Sequence, residues 1–190
     1  MPLTDFPNRG WSMPPVVSTT SRVALGYEWA DASALDGTPA SVAWGTANLV
    51  LFVPFEVTEP ITITKLAWYN GSTANGNVDM GIFSLNGTFL FGAGNTAQAG
   101  TSALQEVNIT DTLLTEGVYF MGLKCESTTA TVWVIPWAGT NFPGASVTFQ
   151  ATGAAGSLTG TYTLADRTPA AGIPNSPFMG FCIGPRTLLA

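Results

Sequence analysis

The stretch Asn77–Gly94, NVDMGIFSLNGTFLFGAG, decides the fold. Its first half alternates. Val78, Met80 and Ile82 fall on one face of an extended chain, and Asp79 and Gly81 fall on the other. Asn86-Gly87 is the strongest two-residue hairpin signal, because both central positions of such a turn need positive φ. TFLFG then reads as the return strand. The tail GAGNTA also fits a loosened phosphate-loop pattern, Gly92-x-Gly94-x-x-Ala97. That loop works only where a helix comes next, because the helix's first N–H groups and dipole hold the pyrophosphate. The next residues, QAGTSALQEV, carry Gly100 and Thr101 near their start and then alternate like a strand. The glycines therefore read as a bend between strands, with no cofactor to bind.

The same pattern extends outward in both directions. LVLFVPFEV (49–57) is an apolar run rich in β-branched and aromatic residues, and Pro54 places it at an edge or a bulge. ITITKLAWYN (61–70) alternates through Ile61 and Ile63, and then Leu66 to Tyr69 come after a shift of register. ALQEVNIT (103–110), GVYFMGLKC (117–125) and TATVWVIPW (129–137) read as further strands, and PFMGFCIG (177–184) as a last core strand. Residues 138–176 are rich in Gly, Ala, Thr and Pro and read as a loop-rich insertion. Within it, SVTFQ and GTYTL are expected to pair across ATGAAGSLT. No window keeps a helical period. Short strands separated by turn signals predict an all-β fold, an antiparallel, jelly-roll-like β-sandwich.

Residues 1–45 differ from the rest. Five prolines break up any long element, while Phe6, Trp11, Tyr27, Trp29 and Trp44 are too aromatic for a disordered tail. The expectation is an extended N-terminal arm over 1–45, followed by the sandwich over 46–190. The arm orders by packing its aromatics on the domain itself or on a neighbouring subunit, with Trp11, Trp29 and Trp44 as the anchoring residues.

Composition limits function. Hydrophobic residues make up 46% of the 190, and charged residues only 9%. An ordinary soluble domain carries roughly 25% charged residues. The surface must then be Ser, Thr, Asn, Gly and Ala, poorly protected against association, as in a subunit covered by its neighbours. Six basic residues scattered along a chain of net charge −6 form no phosphate-binding patch, so no nucleic acid is expected. No basic amphipathic helix marks a membrane surface. The N-terminus MPLTDFPNRGWSMPP lacks an apolar run of signal-peptide length, which predicts synthesis in a cytoplasm without a secretion address. Asn70, Asn86 and Asn108 head glycosylation-type triplets that read as chance matches.

There is no histidine, which removes the Ser-His-Asp and Cys-His nucleophiles and the commonest metal ligand. Cys125 and Cys182 read as buried thiols, with a disulfide left open. Catalysis by two carboxylates, as in a glycosidase, would draw on Glu56, Glu59, Asp79, Glu106, Asp111, Glu116, Glu126 and Asp166. Most sit at turns, where acids cap backbone groups. Asp79 and Glu106 lie in strands, but Asp79 is on the face opposite the apolar one, so no catalytic set is assigned. NGSTANGNVD (70–79) has oxygens for calcium but one carboxylate, and reads as a loop without metal. VWVIPWAGTNFPG (132–144) gathers Trp133, Trp137, Asn141 and Phe142. It reads either as a glycan platform of stacked aromatics with an amide or as core and interface packing.

NVDMGIFSLNGTFLFGAG, together with LLTEGVYFMGLKCESTTATVWVI (113–135), resembles β-sandwich accessory proteins of tailed-bacteriophage particles, of the capsid-decoration and head or tail fibre type. In those proteins a strand like V-D-M-G-I-F precedes an Asn-Gly or Asp-Gly turn, and L-T-x-G-x-Y precedes another strand. The resemblance covers Ile61 to Ile135. The matching positions are structural, so no functional residue carries over, and carbohydrate-binding sandwiches share the signature. The resemblance implies a non-enzymatic structural protein of the virion, with no cofactor. It would decorate or stabilise the capsid, or sit on the tail. Its partners would be itself, as a homotrimer, and virion proteins such as the major capsid protein. The alternative is a receptor-binding module on a tail or fibre, holding host glycans for attachment. The absence of repeats, heptads and collagen-like triplets points to a compact domain and away from a fibre shaft.

Overall fold

The computed structural model describes residues 22–24, 40–135, 149–166, 176–177 and 179–184. The described elements are all β-strands, and every pairing between them is antiparallel. One layer is a seven-stranded sheet. Its order is β12 (Ala165–Asp166), β11 (Phe149–Thr152), β3 (Leu49–Val57), β9 (Gly117–Cys125), β5 (Asn77–Ser84) and β6 (Phe89–Gly92). β7 (Thr96–Ala97) also pairs with β5. Two smaller sheets face it. One runs β1 (Arg22–Ala24), β14 (Met179–Ile183), β4 (Ile61–Tyr69), β8 (Leu104–Leu114). The other runs β13 (Ser176–Pro177), β10 (Thr131–Ile135), β2 (Ala40–Ala43). A bridge between Asn70 and Val132 joins the end of β4 to β10.

The main core lies between these layers. Alternate residues of β3 (Leu49, Leu51, Val53, Phe55, Val57), of β5 (Val78, Met80, Ile82) and of β9 (Met121, Leu123, Cys125) meet Ile63, Leu66, Trp68, Val132, Val134, Met179, Phe181 and Ile183. The period-2 reading of β5 therefore assigns its inner face correctly. It does not show that the other face is also buried. Val50, Phe52, Phe83 and Phe120 point away from the main core into a second apolar cluster, closed by Leu158 with Phe89, Phe149, Ala151, Tyr162 and Leu164. This makes β3 and β5 nearly continuous buried runs.

The cover on the outer face is a strap, residues 153–164. The chain leaves β11 and crosses the sheet to the β5–β6 hairpin. There Phe89 N–H donates to Gly160 O (2.8 Å), Tyr162 N–H donates to Gly87 O (3.0 Å) and Thr88 bridges Thr161. It then returns to β12. The expected hairpin of SVTFQ with GTYTL is thus corrected. Phe149–Gln150 pair with Ala165–Asp166, and Thr161 reaches the far side of the sheet. Under the strap, Gly81 and Gly122 are register partners that leave room for rings. A Cβ on Gly122 would lie 2.6 Å from the Phe83 ring, and one on Gly81 would lie 2.7 Å from the Phe89 ring. Phe83 packs edge-on against Phe52 (5.0 Å), Phe89 (5.5 Å) and Tyr162 (5.6 Å) in that space.

The local expectations meet the structure to different degrees. Asn86-Gly87 does turn a hairpin, but only Gly87 has positive φ (82°), and its N–H donates to Ser84 O at 2.9 Å. Ser84 N–H donates to Thr88 O at 2.9 Å, so the connection is a type I turn with a glycine bulge rather than the two-residue mirror turn. A separate register shift between Ile82 and Phe83 leaves Leu90 as an extra residue in β6. Pro54 pairs with Phe120 of β9 on one side, and among the described residues β11 pairs with β3 from Leu49 to Phe52 on the other. The shift in ITITKLAWYN falls between Ile63 and Lys65. Strands within the first 45 residues already belong to the sheets: β1 pairs with β14, and β2 with β10.

Gly122→Ala should lower stability by about 1–3 kcal/mol, because the added methyl overpacks the rings of Phe83 and Phe52. The urea midpoint should fall with an unchanged slope. A midpoint equal to the parent's would mean that the rings do not rest on this glycine.

Candidate functional site

The most concentrated polar chemistry in the described residues lies where the strap crosses β5 and β9. Asp79 and Lys124 are register partners on the outer face, 1% and 0% exposed. Their strand neighbours are the glycines and phenylalanines under the strap, so both side chains are enclosed when it closes. Lys124 Nζ donates to Ala154 O (3.0 Å) and to Gly156 O. Asp79 Oδ2 accepts from Leu158 N–H (2.7 Å). Glu126, two residues after Lys124 on the same side, accepts from Gly156 N–H (2.6 Å) and from Asn95 Nδ2 (3.0 Å). Three side chains of the sheet thus hold the backbone of 154–158.

The electrostatics arise from this arrangement. Burial pushes the Asp79 carboxyl above the ordinary carboxylate range, against the pull of the Leu158 N–H bond and the Lys124 charge. Glu126 is held below its ordinary value, first by the Gly156 N–H bond, which with Asn95 and Lys124 outweighs the opposing effect of desolvation. Cys125 sits inside the main core, where burial raises its thiol far above the ordinary value and leaves it inert as a nucleophile. No disulfide joins it to Cys182.

Of the candidate carboxylates, Asp79 is closed beneath the strap, with Oδ2 accepting from Leu158 N–H, and Glu126 is half-buried beside it. Glu106 lies on β8 in the other layer, where it accepts from Lys65 Nζ (3.3 Å). The structure does not bring Asp79 and Glu106 together. Among the described residues, no three acidic or sulfur side chains converge as metal ligands. In NGSTANGNVD, Asp79 is the one carboxylate, and its Oδ2 is taken by the strap while its Oδ1 is buried without a partner among the described residues. Asn70 is fully buried, accepts from Trp68 Nε1 (2.9 Å) and Gln98 Nε2 (3.1 Å), and donates to Ala99 O (2.6 Å) and Gln105 Oε1 (2.9 Å). Asn75 donates to Ser127 Oγ and Thr129 Oγ1. GAGNTA itself folds back onto β5 through its last two residues, β7, and what comes next is a bend and then β8, with no helix.

Of the expected anchoring residues, Trp44 is 0% exposed in the main core, and its Nε1 donates to Leu49 O (3.0 Å). It anchors the domain to itself and is closed to a partner. Trp11 and Trp29 lie outside the described residues. Of the expected glycan platform, only Trp133 is described. It is half-buried on β10 and packs edge-on against Tyr69 at 5.9 Å, while Trp137, Asn141 and Phe142 lie outside the described residues.

The accessible concavity that sequence reasoning missed is on the strap itself. An open groove of about 430 Å³ is lined by the hydroxyls of Thr152, Ser157, Thr159, Thr161 and Thr163, with the Tyr162 ring and two alanine methyls. Its signal was present in SLTGTYTL, which alternates polar and apolar residues. Leu158, Tyr162 and Leu164 turn toward the sheet, while Ser157, Thr159, Thr161 and Thr163 turn out.

Compared with known protein families, with characterised proteins and with solved structures, the chain matches none.

Lys124→Met should cost about 3 kcal/mol, because the ammonium is fully buried and its loss strands two carbonyls and the Asp79 carboxylate. The midpoint of unfolding reads it, and a loss within error of zero would show that the ammonium does not hold the strap. Asp79→Asn tests the sign of the electrostatics. A raised carboxyl favours the folded state while protonated, and that advantage is lost as pH rises from the unfolded value of 3.8 through the folded one. The stability of the Asn variant relative to the parent should therefore climb between acid and neutral pH. A difference independent of pH would contradict the burial effect.

Proposed function

We propose that this chain is a non-enzymatic structural subunit of a tailed-phage particle, which decorates or stabilises the capsid or attaches to the tail through subunit interfaces. The observation that carries the reading is the scarcity of surface charge. The chain has six basic and twelve acidic residues in 190, and of these Lys124 and Asp79 are turned inside. Covering a neutral hydroxyl- and methyl-rich surface removes few hydrated charges, so large interfaces form at low desolvation cost. The resemblance of Asn77–Gly94 and 113–135 to phage accessory sandwiches supports the same reading, including its jelly-roll-like connectivity.

The strand edges suggest which kind of contact is used. Of the described edges, β6 has four residues, and the eleven-residue β8 is broken by a register shift and carries Glu106 and Asp111. Short and bulged edges resist strand addition. Copies of the chain, and a partner such as the major capsid protein, would then meet through faces and loops, with a standard interface burying roughly 1,600 Å².

Native mass by light scattering, with and without residues 1–20, tests this. That cut leaves β1 intact. The full chain should form a closed trimer and bind capsid shells. The shortened chain should unfold at the same midpoint but lose attachment. A full chain that stays monomeric and does not bind shells would overturn the proposal.

A further inference from the structure

From the groove on the strap we infer that this protein binds neutral saccharides there. Four features of the groove select that chemistry. First, it offers hydroxyls that both donate and accept, as sugar hydroxyls do. Thr152, Thr159 and Thr163 make no side-chain hydrogen bond within the described protein, whereas Thr161 meets Thr88 Oγ1 at 3.1 Å. Second, no charged side chain lines it, so it has nothing to hold a phosphate, a sialic acid or an ammonium. Third, the Tyr162 ring, half-buried against Phe52 and Phe83, and the threonine and alanine methyls give an apolar floor for the C–H face of a pyranose ring.

The fourth feature is rigidity. Threonine side chains on a loose loop would lose conformational freedom on binding, which weakens affinity. Here the backbone beneath is fixed at one end by Lys124, Asp79 and Glu126, and at the other by Gly87 and Phe89. Because the N–H of Gly156 and Leu158 and the carbonyls of Ala154 and Gly156 face the sheet, a peptide cannot pair with them as an added strand. The outward row from Ser157 to Thr163 spans at most about 20 Å on strand geometry, enough for two or three sugar rings.

The test uses the full chain on a printed array of neutral and acidic oligosaccharides, and then calorimetric titration of the strongest neutral one. The double variant Thr159→Val, Thr163→Val keeps side-chain volume on exposed positions and removes two hydroxyls. It should unfold at the parent midpoint and bind about tenfold more weakly, as the loss of one or two ligand hydrogen bonds requires. Three results would overturn the inference: no neutral oligosaccharide retained, retention of acidic ones only, or equal binding by parent and double variant. The last would place any glycan site elsewhere. Oligomeric state enters none of these readouts, so failure here leaves the subunit proposal standing, and failure of that proposal leaves this one standing.

Discussion

A sheet that is apolar on both faces must be covered twice, and the rest of this structure depends on how the second cover is held. The two smaller sheets close the inner face in the ordinary manner of a sandwich. The outer face, with Phe52, Phe83 and Phe120, is closed by twelve residues that form no ladder across most of their path. A segment of that kind brings backbone polar groups down onto an apolar surface, and each must find a partner there. Lys124, Asp79 and Glu126 are those partners. The lysine supplies donors for two carbonyls, and the carboxylates supply acceptors for two N–H groups. Replacing a missing strand by three charged side chains costs desolvation. The cost is offset because opposite charges sit on paired strands and the cluster excludes water from the rings beside it.

The main core and its strands are legible in the sequence because each carries a period-2 signal on its inner face. Val78, Met80 and Ile82, the Asn-Gly turn and the final PFMGFCIG strand are all of this kind. The second face is not legible. Alternation places Asp79 and Gly81 opposite the apolar residues, and in most antiparallel sheets that face is wet. What marks it as dry lies far away in the sequence: SLTGTYTL, inside a Gly-, Ala- and Thr-rich stretch with the composition of a loop. The place of Trp44 is hidden for a related reason. It comes after β2, a strand too short to declare itself, and aromatic content alone does not separate a residue that packs in cis from one kept for a partner.

The buried amides solve a similar problem at the other end of the sandwich without charge. Asn70 closes the chain's exit from β4 by joining Trp68, Gln98, Gln105 and the Ala99 carbonyl in one network. Gln98 extends that network to Thr131 O on β10 (2.7 Å). Neutral amides suit this place because each offers donors and acceptors at once, so four backbone and side-chain groups are satisfied by one residue. Under the strap the needs are one-sided at each point, two carbonyls in one direction and two N–H groups in the other, and there ionic side chains fit better. The two clusters show why a chain with so little surface charge still keeps part of that charge inside.

The same division explains the outer surface of the strap. Once its backbone and its even-numbered side chains are committed to the sheet, only the odd-numbered ones remain to face outward. They are small and hydroxylated, which keeps the strap thin and lets Gly156 and Gly160 turn the chain with positive φ. A larger outward residue would find open space there, since a Cβ on either glycine would touch nothing within 4 Å. Packing therefore does not require threonine at 159, 161 and 163. A charged or long polar residue would cover the rings equally well and protect the surface better against association. Small hydroxyls at all three places leave a concave, neutral, rigid surface. That is the property a binding site needs and a mere cover does not.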